Sequence, residues 1–337
     1  MNPPKTPSAE PILVTGGAGY IGSHVVRDLG EKGYFPVVLD DLSSGHAEAL
    51  LCGELVRGDA GDTERVGALI RARGIRRVLH FAAFIQVEES VAEPLKYYEN
   101  NSFNCLRLLQ ACLASGVESF IFSSSAAVYG IPETMPVAET APLLPINPYG
   151  ASKLVSEMLL RDAAAAHTGF RYIALRYFNA AGADRLARLG QDYRKPTHLL
   201  TRALKTALGR FPRLEVFGDD YPTADGTAVR DYIHVDDLSS AHLKALEYLA
   251  NGGESRAFNC GYGVGHSVLD VVAAAKRVTG IDFPVAQAPR RPGDPAELVA
   301  DAGLIRRELG WAPPVPALDE IVASAWKWEQ KLAARKK

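Results

Sequence analysis

PILVTGGAGYIGSH, residues 11–24, begins as an apolar, β-branched run and then turns through glycines at Gly16, Gly19 and Gly22. A short apolar run closed by turn residues reads as a buried strand. The residues from about Gly19 to Lys32 follow with a helical pattern. A strand that passes through a tight glycine turn into a helix opens a βαβ unit. There the first glycine permits the turn, the middle one lets the backbone approach a pyrophosphate, and the third lets helix and strand pack closely. The helix N-terminus adds amide donors and a partial positive charge. A glycine-rich turn with no ligand has the same spacing, so the pattern depends on its surroundings.

Those surroundings repeat the unit. Apolar runs at 36–40, 55–56, 78–81, 120–123 and 172–175 alternate with helical segments near 62–73, 94–115 and 148–167. Strands alternating with helices give a parallel sheet covered on both faces. The expected fold class is α/β, a Rossmann-type doubly wound parallel sheet with a smaller C-terminal α/β substrate domain. The rhythm holds to about residue 176. Residues 182–232 are rich in Arg, Gly, Pro and Asp, with one helix near 197–208. DDLSSAHLKALEYLA, 236–250, marks another helix, with Asp236 or Asp237 expected as its N-cap. Further helices are expected near 268–279 and 318–333. The division this predicts is a disordered leader over 1–10, a dinucleotide-binding domain over 11–176 with returning segments from about 230–260, and mainly the substrate domain over 177–335.

Composition sets bounds. The chain has 337 residues, 47% hydrophobic and 23% charged, with a net charge of −2. That is ordinary globular composition with an ample core, and it argues against a nucleic-acid or membrane partner. No apolar run is long enough to span a bilayer. The start of the chain lacks a hydrophobic signal core, so secretion is not expected. The basic KLAARKK reads as a frayed helix end. Cys52, Cys105, Cys112 and Cys260 form no CxxC pair and no metal-ligand spacing with histidine, so no metal site is expected. They read as buried thiols in a reducing cytoplasm.

Two further features point to the chemistry. Asp40 ends the second run, eighteen residues after Gly22. A carboxylate there can accept from an adenosine 2′-hydroxyl and would repel a 2′-phosphate, which selects NAD over NADP; Asp41 adds to the repulsion. The second feature is NPYGASK, 147–153. Asn147 suits an N-cap and Pro148 a first helical residue. Tyr149 and Lys153 then share a helix face. Leu154, Val155, Met158 and Leu159 are expected on a second face, toward the core. Of the thirteen tyrosines, Tyr149 alone has a lysine four places on. A free phenol titrates near ~10. A cation at ~4 Å and an effective dielectric of ~20 contributes ~4 kcal/mol, up to about three pKa units, and that would populate a phenolate near neutrality. Ser125 closes the FIFSSS strand twenty-four residues earlier. Open α/β sheets bind ligands at such strand ends, and a serine there can guide a proton.

VTGGAGYIGSH, SSSAAVYG, NPYGASK, LRYFNAAGA, GDDYPTADGTAVRDYIHVDDL and APRRPGD followed by AD together cover nearly the whole chain. In these blocks the sequence resembles the extended short-chain dehydrogenase/reductases and, within them, the UDP-glucose (UDP-galactose) 4-epimerases. The resemblance implies that Ser125, Tyr149 and Lys153 are the catalytic trio. It implies NAD contacts from Gly16, Gly19, Tyr20, Ile21, Gly22, Asp40, Asp41, Ser44, Asp59 and Ala60. It implies further NAD contacts from Phe81, Ala82, Ala83, Asn100, Ser123, Tyr177 and Phe178, besides Tyr149 and Lys153. For a UDP-sugar it implies Asn179, His198, Leu199, Phe217, Arg230, Tyr232, Arg291, Asp294 and Leu298, with Ser125 and Tyr149 at the sugar. Arginines suit a diphosphate because of their fork of donors. A homodimer paired through the 94–115 and 148–167 helices is also implied.

The sequence departs from its relatives at two positions. Ile85 stands where some members carry a lysine near the cofactor phosphates, which implies looser NAD binding. Leu298 stands at a position that gates the sugar. Tyr there goes with strict hexose use and small residues with N-acetylhexosamines, and leucine is intermediate. A UDP-N-acetylhexosamine or UDP-pentose epimerase is therefore an alternative. A sugar-nucleotide dehydratase is disfavoured, because Ala126 and Ala127 stand where that class carries an acidic pair. A net NAD-dependent dehydrogenase would release NADH. An NAD-sensing regulator typically lacks the Tyr–Lys pair kept here.

Overall fold

The structure is a computed structural model and describes residues 9–291 and 293–335. Residues 1–8 of the expected leader and the last two of the basic tail lie outside the described residues. Glu10 is not leader: its carbonyl accepts from Phe35 N at 2.9 Å and its carboxylate pairs with Arg77 at 3.0 Å.

In the first half, β1 (Pro11–Thr15), β2 (Phe35–Asp40), β3 (Glu54–Arg57), β4 (Arg77–His80), β5 (Ser119–Ser125) and β6 (Arg171–Tyr177) alternate with helices. These are α1 (Tyr20–Glu31), α2 (Thr63–Arg73), the short α3 (Val87–Ala92) and α4 (Pro94–Tyr97), α5 (Asn104–Ala114) and α6 (Pro148–Ala166). After them come β7 (Asn179–Ala181), α7 (Leu199–Ala207), β8 (Leu214–Phe217), β9 (Val229–His234), α8 (Val235–Ala250) and β10 (Arg256–Cys260). The chain continues as β11 (Gly265–Ser267), α9 (Val268–Thr279), β12 (Val285–Ala288), β13 (Glu297–Leu298), α10 (Gly303–Leu309) and α11 (Leu318–Arg335).

The main sheet is parallel throughout, in the order β10-β6-β5-β4-β1-β2-β3. Both of its faces are covered, so alternate residues of β1 enter different cores. Ile12 and Val14 pack with Val25, Val26 and Leu29 of α1 and with Leu238, Ala241 and Leu246 of α8. Leu13 packs with Val66 and Ile70 of α2, Leu108 of α5 and Leu160 of α6. The chain moves outward from β1 to β3, returns to β4 and moves outward the other way. The strand order therefore reverses between β1 and β4, where an open α/β sheet leaves its crevice. A second sheet, β11-β9-β13 with β7 on β9, and the pair β12-β8 lie beyond it.

Three local expectations are corrected. The segment near 94–115 is not one helix. It is α4, a widened π-type turn over Tyr98–Phe103, and α5. On α6, Val155 is 37% and Met158 44% exposed, whereas Ser152, Lys153, Ser156, Glu157 and Leu160 are buried. The buried face thus carries polar groups that find partners, and the apolar pattern misled. The N-cap of α8 is His234, whose Nδ1 accepts from Asp236 N at 3.1 Å. Neither aspartate is free for that role, since Asp236 binds Arg27 at 3.1 Å and Asp237 accepts from the Tyr262 hydroxyl.

Candidate active site

β5 and α6 build the first wall. Asn147 Oδ1 caps α6 by accepting from Gly150 N at 2.8 Å, and Pro148 follows at the first helical position. This start fixes Tyr149 and Lys153 one turn apart, facing the end of β5. The Lys153 ammonium donates to Ser123 O at 2.8 Å. It also lies 5.0 Å from the Phe122 ring centroid and 6.0 Å from that of Tyr149. Ser125 accepts from Ala127 N at 3.2 Å, and its hydroxyl lowers the Tyr149 phenol against the effect of burial. Ser123 accepts from the Tyr177 hydroxyl.

The electrostatics differ from the expectation drawn from spacing. Burial raises the Tyr149 phenol, and the opposing pull comes from the Ser125 hydrogen bond, not from Lys153. Lys153 is buried as well, and loss of hydration lowers it to about 8. The reason is direction: the ammonium points at a backbone carbonyl of β5, so helix spacing overstated its hold on the phenol. Both groups shift toward their neutral forms.

The cofactor side is formed by the glycine turn at the reversal between β1 and β4. Gly16 has φ +69°, and a Cβ there would stand 2.5 Å from Ala82 N. A Cβ on Gly22 would stand 2.4 Å from Gly16 O. The α1 N-terminus begins at Gly19 with no side-chain cap and no acidic residue in its first turn. Its amides are available to a phosphate. Asp40 closes β2, buried, and accepts from Ala18 N and Leu42 N, both at 2.9 Å. Burial raises this carboxyl and the two amides draw it back. Phe81 and Ala82 follow β4, with the Phe81 ring tilted against His242, centroids 4.8 Å apart. Asp59 accepts from Gly61 N at 2.8 Å, beside the buried Ala60. These features fit an NAD molecule laid across the strand ends. Asp41 is exposed and accepts from Ser43 N at 2.8 Å. Asn100 donates to Asn101, and it is Asn101 that is buried, accepting from Phe84 N at 2.8 Å.

A cleft of about 200 Å³ runs past Ala18, Gly19, Tyr20 and Ser44 to Tyr193. A smaller cavity of about 50 Å³ reaches Asn179, His198, Leu199 and Tyr232. Arg230 pairs with Asp294 and donates to Pro295 O at 2.7 Å. Arg291 stacks on Phe217 at 3.9 Å, and its Nε is buried with no hydrogen-bond partner. A buried guanidinium donor without an acceptor calls for an anion. His198 is lowered to about 4 by burial, then by Arg291. Leu298 is 8% exposed and packs with Ala126, Val128 and Tyr129, against Phe178. It thereby adjoins the strand end that carries Ser125.

Sequence reasoning missed three buried residues behind the trio. Ser124 donates to Glu157, and Arg176 pairs with Glu157 at 2.6 Å. Glu157 stands one turn after Lys153, so counting one more helical step along the Tyr149–Lys153 face would have found it.

Known proteins share this arrangement. The model of the NAD dependent epimerase/dehydratase family matches residues 12–261. A UDP-glucose 4-epimerase from Azospirillum brasilense is 52% identical over 329 residues, covering 97% of this chain and 94% of the relative. The crystal structure of UDP-glucose 4-epimerase from Brucella ovis in complex with NAD superimposes with a TM-score of 0.91 at 46% identity, covering 95% of this chain and 98% of that one. UDP-glucose 4-epimerase from Stenotrophomonas maltophila, bound to NAD and formylated UDP-arabinopyranose, gives a TM-score of 0.93 at 42% identity, covering 97% and 99%.

Proposed function

The chain belongs to the NAD dependent epimerase/dehydratase family, and from that premise we propose that it interconverts UDP-glucose and UDP-galactose by inverting C4 of the sugar. The glycine turn, the open α1 N-terminus and Asp40 would hold NAD. When bound, NAD supplies a reversible acceptor for the C4 hydride. Tyr149 takes the C4 hydroxyl proton and later returns it, with Ser125 bridging phenol and sugar. Lys153 orients the phenol wall through Ser123 O. Arg230, Arg291 and Asp294 grip the nucleotide while the 4-keto sugar turns its other face to the same phenol. Removing and returning one proton and one hydride on opposite faces inverts the carbon.

One observation carries the reading. The wall beyond Ser125 is apolar, with Ala126 and Val128 buried and Leu298 packed on them. It offers a hydroxyl, a phenol and an ammonium for one proton transfer and, among the described residues of that wall, no carboxyl acid for expelling a hydroxyl. This favours epimerisation over dehydration.

The test incubates purified protein with UDP-glucose and follows UDP-galactose. The expected result is a mixture of both sugars with no steady rise in NADH absorbance. Steady NADH release, or a 6-deoxy-4-keto product, would overturn the reading. UDP-N-acetylglucosamine and UDP-xylose in parallel are expected to turn over more slowly, because Leu298 leaves an intermediate gate.

A homodimer is part of the proposal. Leu95, Tyr98, Phe103, Val155 and Met158 lie exposed on α4, the turn after it and α6, and a second copy would cover them. Met158→Glu is expected to give monomers in sedimentation; an unchanged state would sink the pairing. We also place the enzyme in the cytoplasm, which suits four unbridged cysteines.

A further inference from the structure

We infer that Glu157 is a positioning residue for the Tyr149–Lys153 pair and that it acts through Ser124. The end of β5 and the first three turns of α6 are joined rung by rung. Ser123 O accepts from Lys153 at 2.8 Å. The Ser125 hydroxyl acts on the Tyr149 phenol and opposes the effect of burial there. Ser124 lies between them in sequence, and its hydroxyl donates to Glu157. Tyr149, Lys153 and Glu157 stand at successive turns of one helix. Ser124 is the middle residue on the strand and Glu157 the last of the three on the helix, so their bond fixes the strand end from which the other two partners project.

Glu157 is itself fixed from behind. Arg176 of β6 grips it with Nε at 3.0 Å and Nη2 at 2.6 Å. Arg176 Nη1 donates to the Tyr129 hydroxyl at 2.9 Å, and Tyr129 donates to Asn259 of β10 at 2.6 Å. Asn259 donates to Val137 O at 2.8 Å, and Val137 N bonds Val299 O at 2.8 Å, next to Leu298. Ser124, Glu157 and Arg176 are 1%, 6% and 5% exposed. A buried pair of this kind is weak evidence for added stability, and a specifying role is the better-attested use. Here the line of bonds connects the phenol wall with the strand that carries Leu298.

The ionisable groups around the pair are known. Cys105 of α5, His80 of β4 and Glu157 itself face Lys153. Tyr97, Tyr177 and Tyr193 face Tyr149. Arg176, Tyr129 and Tyr172 face Glu157. Ser124→Ala alters none of these charges, so a shift in the phenol there reports geometry.

The inference rests on the proposed role of Tyr149 and Lys153, and the test separates the two. With UDP-glucose, Ser124→Ala is expected to lower kcat on the order of 10-fold, as a small misplacement of reacting groups does, and to leave KM nearly unchanged. Ser124→Thr keeps the hydroxyl and should recover most of the rate. In the Ser124→Ala background, Glu157→Gln should cause little further loss, because both residues act on one bond. Independently of substrate, tyrosinate absorbance is titrated in each variant and in the same variant carrying Tyr149→Phe. The difference isolates Tyr149, and its phenol should titrate higher in Ser124→Ala as the Ser125 bond loosens. An unmoved phenol with an unmoved kcat, or a loss confined to Tm, overturns the inference. Absence of turnover in the parent protein with a shifted phenol overturns the epimerase reading and leaves the inference standing.

Discussion

Tyr149 has to give up a proton where burial holds it on, and the contact that opposes burial is the Ser125 hydrogen bond. The sign of a substitution follows. The acid limb of a pH–rate profile marks protonation of the base. A base with a higher pKa is protonated at higher pH. Ser125→Ala is therefore expected to move the acid limb of kcat upward, read from initial rates across pH. A limb that stays in place would remove Ser125 from the proton path. Tyr149→Phe should keep the fold and lose about 10²–10⁴-fold in kcat; near-normal turnover would exclude the phenol as base. Lys153 supplies the other limb. Lowered to about 8 by burial, the ammonium should lose its proton there, and kcat/KM of the unmodified enzyme should fall above that pH. The pair was legible in the sequence because residues four apart share one face of a helix with 3.6 residues per turn. The aim of the ammonium was not, because it depends on where the β5 carbonyls lie, which no spacing within α6 encodes.

Among the elements, the turn from β1 into α1 tests how far a glycine pattern can be read. The spacing assigned one duty to each glycine, and the backbone separates two of them. A Cβ on Gly22 would stand 2.4 Å from Gly16 O, while on Gly19 the nearest atom, the same Gly16 O, would be 3.3 Å away. Gly22→Ala is therefore expected to lose about 1–3 kcal/mol or more by overpacking, seen as a sharp fall in Tm. Gly19→Ala should fold nearly as well, with φ −80° open to any residue, yet bind NAD weakly because its methyl occupies the approach of the pyrophosphate. Equal Tm losses in the two variants would show that the duties are not divided. Elements of this kind were legible because a doubly covered strand needs an unbroken apolar run and the covering helices need a 3.6-residue period. Where tertiary partners compete with local preference, the reading failed. Asp236 and Asp237 looked like caps for α8 but bind Arg27 and Tyr262. Val155 and Met158 looked like core but face outward. The substrate side could be located only through resemblance, since Phe217 of β8, Arg230 of β9 and Arg291 of the loop after β12 belong to separate elements that no single period brings together.

Across the whole molecule, the packing that builds these walls also encloses several histidines, and their burial makes folding sensitive to mild acid. His24, His80 and His242 are fully or almost fully buried. Burial lowers them to about 4, about 3 and about 4, from an ordinary 6.5. His24 and His242 each present an Nε2 with no partner, so a proton added there would have nothing to bind. Between pH 6.5 and about 4 the unfolded chain binds protons at these rings and the folded chain does not. Stability therefore rises with pH across that window and falls as pH drops through it. Each ring contributes about 1.4 kcal/mol per pH unit at full effect, so three amount to about 4 kcal/mol per unit near the middle. His198, also lowered to about 4, and the buried His234 move in the same direction. The buried carboxyls of Asp40 and Asp231 and the half-buried ones of Asp28 and Glu139 are raised by loss of hydration and act oppositely, since the folded chain takes up their protons first. Their effect begins nearer the ordinary carboxyl range, so the histidines should dominate just below pH 6.5. Denaturant unfolding of the full chain from pH 7.5 down to 5 should show a midpoint that falls steadily with acid, and calorimetry in buffers of different ionisation heat should show proton uptake on unfolding. His242→Gln, which keeps a polar group against Leu238 O and removes the titration, should flatten the slope by roughly one proton. A midpoint indifferent to pH over this range would mean that the folded chain admits those protons, and that the packing around Phe81, Tyr177 and His242 opens far more readily than the close ring contacts at 4.8 and 5.8 Å indicate.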